Sequence, residues 1–480
     1  MGAVEIRDAT IHYPDRATPA IDRITETLET GELVVLTGPS GCGKSTLCRA
    51  IAGFIPELIP ARVEGELRVG DASAWEADSA RLAERVGLVQ QDPDAQICTL
   101  GVVREVAFGP ENLCLPPNEV ADRVDRALAA VGIDHLRHRD TTTLSGGEKQ
   151  RLAIASILAM EPEILVLDEP TANLDPEGAK GVFDLLGELR QRRGITTLVV
   201  EHRVRPLLSQ APRLLVLDRG RLVDRHVERR RIDPEEMGWG DGTAPAPNEA
   251  PSGPSILSVS DLEFGYDRPL LGDVTFDLRA GEVLGVIGPN GGGKTTLLRL
   301  LADLEQPTGG RIVRTGDPAR GFVLQHPHHQ IFERTVRREL EVDGAEREPG
   351  EIDRRLRQGR LGGLPEAPPL SLSLGEQRRL TLLAALRRRP RILLLDEPFI
   401  GQDRRNVEWI VSRIRAHCGG GGATVLVSHD VALVAALANR ILFLDGGRDR
   451  PIYGPPSDVF GRLRAANRAA FLPGFWEEAT

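Results

Sequence analysis

The sequence predicts an α/β protein made of two copies of one domain, and three repeated stretches carry that reading. "GPSGCGKSTL" at 38–47 returns as "GPNGGGKTTL" at 288–297, and "EILVLDEPTANLD" at 163–175 returns as "RILLLDEPFIGQD" at 391–403. "TLSGGEKQRL" at 143–152 returns in altered form as "SLSLGEQRRL" at 371–380. The landmarks keep one order in both halves, which marks a duplicated domain and not a short-period array. A chain of 480 residues has room for two full cores.

The elements follow in chain order. "LVVLTG" and "VLGVIG" are short apolar runs ending in glycine, and "ILVLDEP" and "ILLLDEP" are apolar runs ending in acids. Runs of this kind suit buried parallel strands, whose carboxyl ends are where ligands bind in open α/β sheets. Between these landmarks the copies differ in length. Lys44 to Gln91 spans 47 residues and Lys294 to Gln325 only 31, so the second copy is expected to be trimmed in its middle. After Ser145, the apolar Leu152, Ile154, Ile157 and Leu158 predict a helix. "GWGDGTAPAPNEAPSGPS" at 238–255 has no hydrophobic period and reads as a flexible linker. The expected domains are therefore 1–237 and 256–480.

The first repeated stretch matches the full phosphate-loop pattern twice, as Gly38-x-x-x-x-Gly43-Lys44-Ser45 and Gly288-x-x-x-x-Gly293-Lys294-Thr295. Glycines let the backbone turn its N–H groups onto phosphates, the lysine reaches the terminal phosphates, and the hydroxyl binds Mg²⁺. The helix that starts there adds the positive end of its dipole. The expected ATP contacts are Gly38, Pro39, Ser40, Gly41, Cys42, Gly43, Lys44, Ser45 and Thr46 in the first copy. In the second they are Gly288, Pro289, Asn290, Gly291, Gly292, Gly293, Lys294, Thr295 and Thr296. Asp168 and Asp396, closing the second apolar run, are candidates to hold Mg²⁺ together with Ser45 and Thr295. Glu169 and Glu397 follow directly and are candidates to orient and deprotonate the attacking water.

"LSGGEKQ" is the most specific signal, and with it nearly all of both halves resembles the nucleotide-binding domains of ATP-binding cassette (ABC) proteins. The resemblance implies two tandem P-loop NTPase domains. Each would have a RecA-like core, an antiparallel β subdomain and a helical signature subdomain. It implies that Ser145, Gly146 and Gly147, and in the altered copy Ser373 and Gly375, close over ATP held by the opposite half. Capping of an anion by helix N–H groups is the physical reason. It further implies that Gln91 and Gln325 sense Mg²⁺ and a membrane partner, and that His202 and His429 steady the γ-phosphate. Asp175 and Asp403 would lie in the loop crossing between halves, and Tyr13 and Tyr266 would stack on adenine. Leu374 stands where the first copy has Gly146, so the site pairing Lys44 with Ser373 is expected to hydrolyse ATP less well.

The stretches "QQDPDAQICTLGVVREVAFGPEN" and "QHPHHQIFERTVRREL" share Gln-x-Pro-x-x-Gln-Ile. In this they resemble the ATPase subunits of energy-coupling factor importers for vitamins, vitamin precursors and cobalt or nickel ions. The resemblance implies a transmembrane coupling subunit and a membrane substrate-binding subunit as partners. It places Gln96 and Gln330 in the docking region and the chain at the cytoplasmic face of a membrane. Two other readings stand beside it: the ATPase of another importer class, such as sugar uptake, and a soluble ribosome-associated ABC factor. The formal net charge of −10 argues against non-specific nucleic-acid binding. The short Pro- and Gly-rich linker is unlike the long charged helix of ribosomal factors.

Composition narrows the rest. Five cysteines without paired spacing read as neither a disulfide framework nor a zinc site, and so as a reducing compartment. No apolar run reaches the length of a membrane span and no secretory signal is evident. "HPHHQ" at 326–330 reads as an exposed loop, and "ERRRID" (228–233) and "RRRPRI" (387–392) as solvated faces or helix-end charges. The tail "FLPGFWEEAT", with Phe471, Phe475 and Trp476, is left open between packing on its own domain and touching a partner.

Overall fold

A computed structural model describes residues 2–14, 16, 18–39, 41–172, 174–201, 207, 210, 212–224, 253–316, 318–341, 350–402, 404–447 and 449–473. Ser40, His202, Asp403, the basic run at 228–233, most of the expected linker, Phe475 and Trp476 lie outside them. The chain divides into two compact units, Met1–Trp239 and Gly240–Thr480.

Each unit is built on a six-stranded sheet of one topology. In the first the order is Arg221–Asp224, Arg213–Asp218, Leu33–Thr37, Thr196–Val200, Ile164–Asp168, Val86–Val89. In the second, read in the same direction, it is Ile452–Gly454, Arg440–Phe443, Val283–Ile287, Ala423–Val427, Ile392–Asp396, Arg320–Val323. Five strands run parallel and one edge hairpin strand runs antiparallel. "LVVLT", "ILVLD", "VLGVI" and "ILLLD" are buried at every position, as two-sided burial between helix layers demands. The central position of the phosphate-loop strands places both loops at carboxyl ends of strands. Neighbouring strands there diverge in the order of the chain, which opens a crevice.

A second, antiparallel sheet covers one face of each core. It has four strands in the first unit (Ile21–Leu28, Val4–His12, Arg62–Val69, Ala72–Ser73) and three in the second (Pro269–Arg279, Ser255–Gly265, Gly309–Arg314). The trimming expected from the sequence falls mainly here, where the fourth strand and the short helix Ser79–Ala83 have no counterpart among the described residues. Ser255 already belongs to a strand, so the linker ends short of residue 255. On the other face a helical layer packs Val102–Asn112, Pro117–Val131 and Gly146–Leu158 together. In the second unit its described helices are Val336–Glu341, Glu351–Gln358 and Leu374–Arg387, packed around Val336, Leu340, Ile352, Leu356 and Leu380.

Phe471 is fully buried and meets Phe443 edge-on, with ring centroids 5.3 Å apart. This part of the tail therefore packs on its own unit. All five cysteines are unpaired: Cys42, Cys48 and Cys418 are buried, Cys98 and Cys114 exposed. Among the described residues, no helix is long and apolar enough to cross a membrane.

Candidate functional site

Both phosphate loops fold as glycine spacing demands. Gly38, Gly41 and Gly43 have φ of 147°, 76° and 114°, and Gly288, Gly291 and Gly293 have 145°, 72° and 89°. A Cβ at Gly38 would lie 2.0 Å from the Leu217 carbonyl oxygen, and one at Gly288 2.0 Å from that of Leu444. No side chain fits at either place, so the glycines are dictated by close backbone approach as well as by φ. Helices Lys44–Ile51 and Lys294–Leu301 begin directly after the loops. Neither has a side-chain N-cap, which leaves their first N–H groups to a ligand. Lys44 Nζ donates to the carbonyls of Gly38 (2.8 Å) and Pro39 (3.0 Å), and Lys294 Nζ to Gly288 (2.8 Å) and Pro289 (2.7 Å). Each ammonium thus curls back over its own loop.

The acids close the second strand as expected. Thr295 Oγ1 donates to Asp396 Oδ2 at 2.7 Å, and Ser45 hydrogen-bonds Asp168. The other oxygen of each carboxylate, Asp168 Oδ1 and Asp396 Oδ1, is buried without a hydrogen-bond partner. Burial pushes both carboxyls above their usual range, against the pull of the hydroxyl bond. A buried carboxylate oxygen with no donor, beside a hydroxyl, fits a hard cation.

Glu169 and Glu397 sit at φ of 51° and 50°, a left-handed conformation that glutamate rarely adopts. Their side chains then meet different neighbours. Gln91 Nε2 donates to Glu169 Oε2 at 2.9 Å. Glu397 is almost fully enclosed, its Oε2 accepts from the His429 backbone N–H at 3.1 Å, and His429 Nε2 lies 3.3 Å from Oε1. Burial pushes the Glu397 carboxyl up to about 8, against the pull of Lys294. Gln91 thus joins the acid cluster through its side chain. The Gln325 carbonyl instead accepts from Arg378 at 3.2 Å, and Arg378 also donates to the Glu397 carbonyl.

Ser145 and Ser373 cap helices Gly146–Leu158 and Leu374–Arg387, each in a capping box with Glu148 or Glu376. Both serines are exposed at the helix tips. Leu374 is the first helical residue, and Gly375 behind it is buried against Gln402, whose Nε2 donates to the Gly375 carbonyl at 3.2 Å. Asp175 caps helix Pro176–Arg193 through Gly178 N–H at 2.7 Å. The tyrosines separate. Tyr13 is half-buried with its hydroxyl 3.3 Å from Thr46 Oγ1, beside the phosphate loop. Tyr266 is 60 % exposed, stands edge-on to Phe264 and donates to Glu305 at 3.4 Å.

Gln96 and Gln330 do not present their amides outward. Gln96 Oε1 accepts from Gln90 N–H at 2.9 Å, and Gln330 bonds Leu324 N–H and the Phe322 carbonyl, each at 2.7 Å. Both fold back to clamp the loop onto its strand. Sequence reasoning missed the second clamp. Buried Glu105 accepts from Cys98 and Thr99 N–H at 3.0 and 2.8 Å, and buried Glu339 from Phe332 and Glu333 N–H at 3.0 and 2.9 Å. The signal was the acid repeated in "VREV" and "RREL". Glu339→Ala is expected to cost about 2 kcal/mol or more, since it strands two N–H groups. Urea unfolding reads this, and a change under about 0.5 kcal/mol would show that the loop is held otherwise. His326, His328 and His329 stand with ring centroids 4.3–5.6 Å apart, and among the described residues no group of three or more His, Cys, Asp or Glu is arranged to hold a metal.

The profile of the family described as "ABC transporter" matches residues 21–172 and 271–400, more than half of the chain. The chain is 33% identical to the "Putative HMP/thiamine import ATP-binding protein YkoD" of Bacillus subtilis (strain 168), over 95% of this chain and 92% of that one. It is 32% identical to a "Putative ABC transporter ATP-binding protein" of Methanosarcina mazei, over 98% of this chain and 92% of the relative. Among solved structures, the archaeal ribosome recycling factor aABCE1, in complex with ribosomal stalk protein aP1, aligns with a TM-score of 0.67 at 21% identity. That alignment covers 96% of this chain and 92% of that one, and it is a likeness of fold alone. With two phosphate loops, two signature-type helix tips and relatives matched over more than nine-tenths of both chains, the chain belongs to the ABC transporter family as an ATP-binding protein with two cassettes, an ATPase.

Proposed function

We propose that the chain is the energy-coupling ATPase of an energy-coupling factor importer, working at the cytoplasmic face of a membrane. The observation that carries the reading is the doubled set of phosphate loop, orphaned buried carboxylate oxygen and exposed serine-capped helix tip. Each ATP is held by the loop of one half and closed by the serine tip of the other, so one cassette alone is incomplete and fusion raises the effective concentration of the pair. Loop N–H groups and the helix dipole hold the phosphates, and Lys44 or Lys294 turns from its loop carbonyls to the terminal phosphate. Ser45, Asp168 and Gln91, or Thr295, Asp396 and Gln325, would hold Mg²⁺, and the chemistry it would supply is neutralisation of phosphate charge. Glu169 and Glu397 orient the attacking water and take its proton, and His202 and His429 steady the γ-phosphate. Closing on ATP and reopening after hydrolysis move the loops after Gln91 and Gln325.

Those loops are where a membrane partner acts. In the second half a cavity of about 720 Å³ is lined by Phe322, Leu324, Gln330, Phe332 and Glu339, and Phe332 is 82 % exposed. In the first half Leu100 (70 %) and Phe108 (48 %) stand exposed in the corresponding stretch. An apolar helix end of a transmembrane coupling subunit fits such surfaces. The import of a vitamin precursor is supported by the name of the Bacillus subtilis relative. Purification from the native host tests the reading: the chain is expected to follow the membrane fraction with an integral membrane protein, and Phe332→Glu to reduce its recovery there at least fivefold. Sedimentation with ribosomes instead would overturn it.

A further inference from the structure

The two copies differ in charge at one place that nucleotide chemistry leaves unused. Between the signature serine and the acidic strand end the copies align without a gap, so "MEPE" at 160–163 faces "RRPR" at 388–391. In the first copy these acids close an ion-pair network. Glu161 pairs with Arg126 at 3.0 Å and with Arg123 at 3.5 Å, Arg123 also holds Glu119 at 2.8 Å, and Glu163 lies 3.9 Å from Arg85. The second copy keeps the helical half of that network, since Arg355 holds Glu351 at 2.8 Å. Where the closing acids stood it has Arg389 and Arg391.

The result is a cationic cavity of about 530 Å³, lined by Arg355, Arg389, Arg391 and Arg413 with Leu386 and Pro390 as an apolar wall. A smaller cavity of about 260 Å³ adjoins it, sharing Arg355 and Arg389. Helix-end compensation accounts for Arg387 and Arg388, which terminate the signature helix. It does not account for this cluster, because Arg355 and Arg413 come from two other helices and Arg391 precedes a strand. Among the described residues no acidic side chain pairs with Arg389, Arg391 or Arg413, although the same place in the sister copy carries two acids.

We infer that this cavity is a binding site for a phosphorylated anion, separate from both phosphate loops. Planar guanidinium forks suit the paired oxygens of phosphate, and the volume suits a small phosphomonoester or diphosphate. The apolar wall is formed in part by the last turns of the helix whose first turn bears Ser373, so an occupant ties that helix to the core strand and to helix Arg404–Gly419.

Calorimetric titration of the full chain, after two equivalents of a non-hydrolysable MgATP analogue, tests this with three probes: inorganic pyrophosphate, AMP, and vesicles containing phosphatidylglycerol. The wild-type chain is expected to take up one further equivalent of a soluble probe. Arg389→Glu combined with Arg391→Glu restores the acids of the first copy, and is expected to weaken that uptake at least tenfold while leaving analogue binding and the melting temperature unchanged. The milder Arg413→Gln is expected to weaken it severalfold, which keeps the test alive if the double variant misfolds. Binding confined to vesicles and lost in the variants supports the site with a lipid headgroup as the source. Uptake of no probe, or equal uptake by wild type and variants, overturns the inference.

Discussion

Replacing Glu397 by Gln is expected to remove most of the steady-state ATP turnover, and replacing Glu169 by Gln only a minor share. A positioned general base contributes about 10²–10⁴ in rate, so each substitution silences its own site and total turnover reports what the other still supplies. Under the proposed reciprocal closure, Lys294 and Glu397 are served by Ser145, Gly146 and Gly147, whereas Lys44 and Glu169 are served by Ser373, Leu374 and Gly375. Leu374 sets an isobutyl group at the first helical position, where a bound phosphate needs bare backbone. Gly375 behind it is held from the core side by Gln402, a position occupied in the first copy by apolar Leu174. The second tip therefore has less freedom to turn its N–H groups to an anion. Phosphate release at saturating MgATP, with analogue binding confirming an intact fold, reads the two variants. Equal fractional losses would sink the asymmetry.

The features legible in the sequence are those that one local rule dictates. Glycines of the phosphate loop are forced by positive φ and by carbonyls 2.0 Å from an imagined Cβ, so their spacing alone gave loop, strand and helix. The all-apolar strands and the Ser-x-x-Glu boxes were legible for the same reason. The loop clamps were not, because Glu105 and Glu339 reach back across several residues to N–H groups that no periodicity marks. The resemblance puts Gln96 and Gln330 in a docking region, but that their amides serve their own strand ends is visible only in the fold. Arg378 was missed because its role depends on two carbonyls, of Gln325 and Glu397, that meet only in the folded core. The arginines at 387–391 are legible as charge, whereas the contrast between Arg389 and Arg391 and the paired Glu161 of the sister copy emerges only from comparison of the two folded copies.

Lys294→Ala should lower turnover at its own site on the order of 100-fold or more, since an electrostatic group aimed, as proposed, at the transferring phosphoryl is worth that much in a site sheltered from water, and total turnover should fall to what the Lys44 site supplies. The structure adds a second consequence. Lys294 is 7 % exposed and its ammonium satisfies the Gly288 and Pro289 carbonyls, so alanine strands two acceptors at about 1–3 kcal/mol each. Lys44 makes the same two bonds in its own loop and is as deeply buried. The loss of stability should therefore be alike for Lys44→Ala and Lys294→Ala, whereas the loss of turnover should be far larger for Lys294→Ala if the first copy's signature serves that site. Thermal unfolding and phosphate release measured on the same two preparations separate a structural role from a chemical one. If both variants lost turnover only in proportion to their loss of folded protein, the lysines would be loop staples and the proposed phosphate contact would fail.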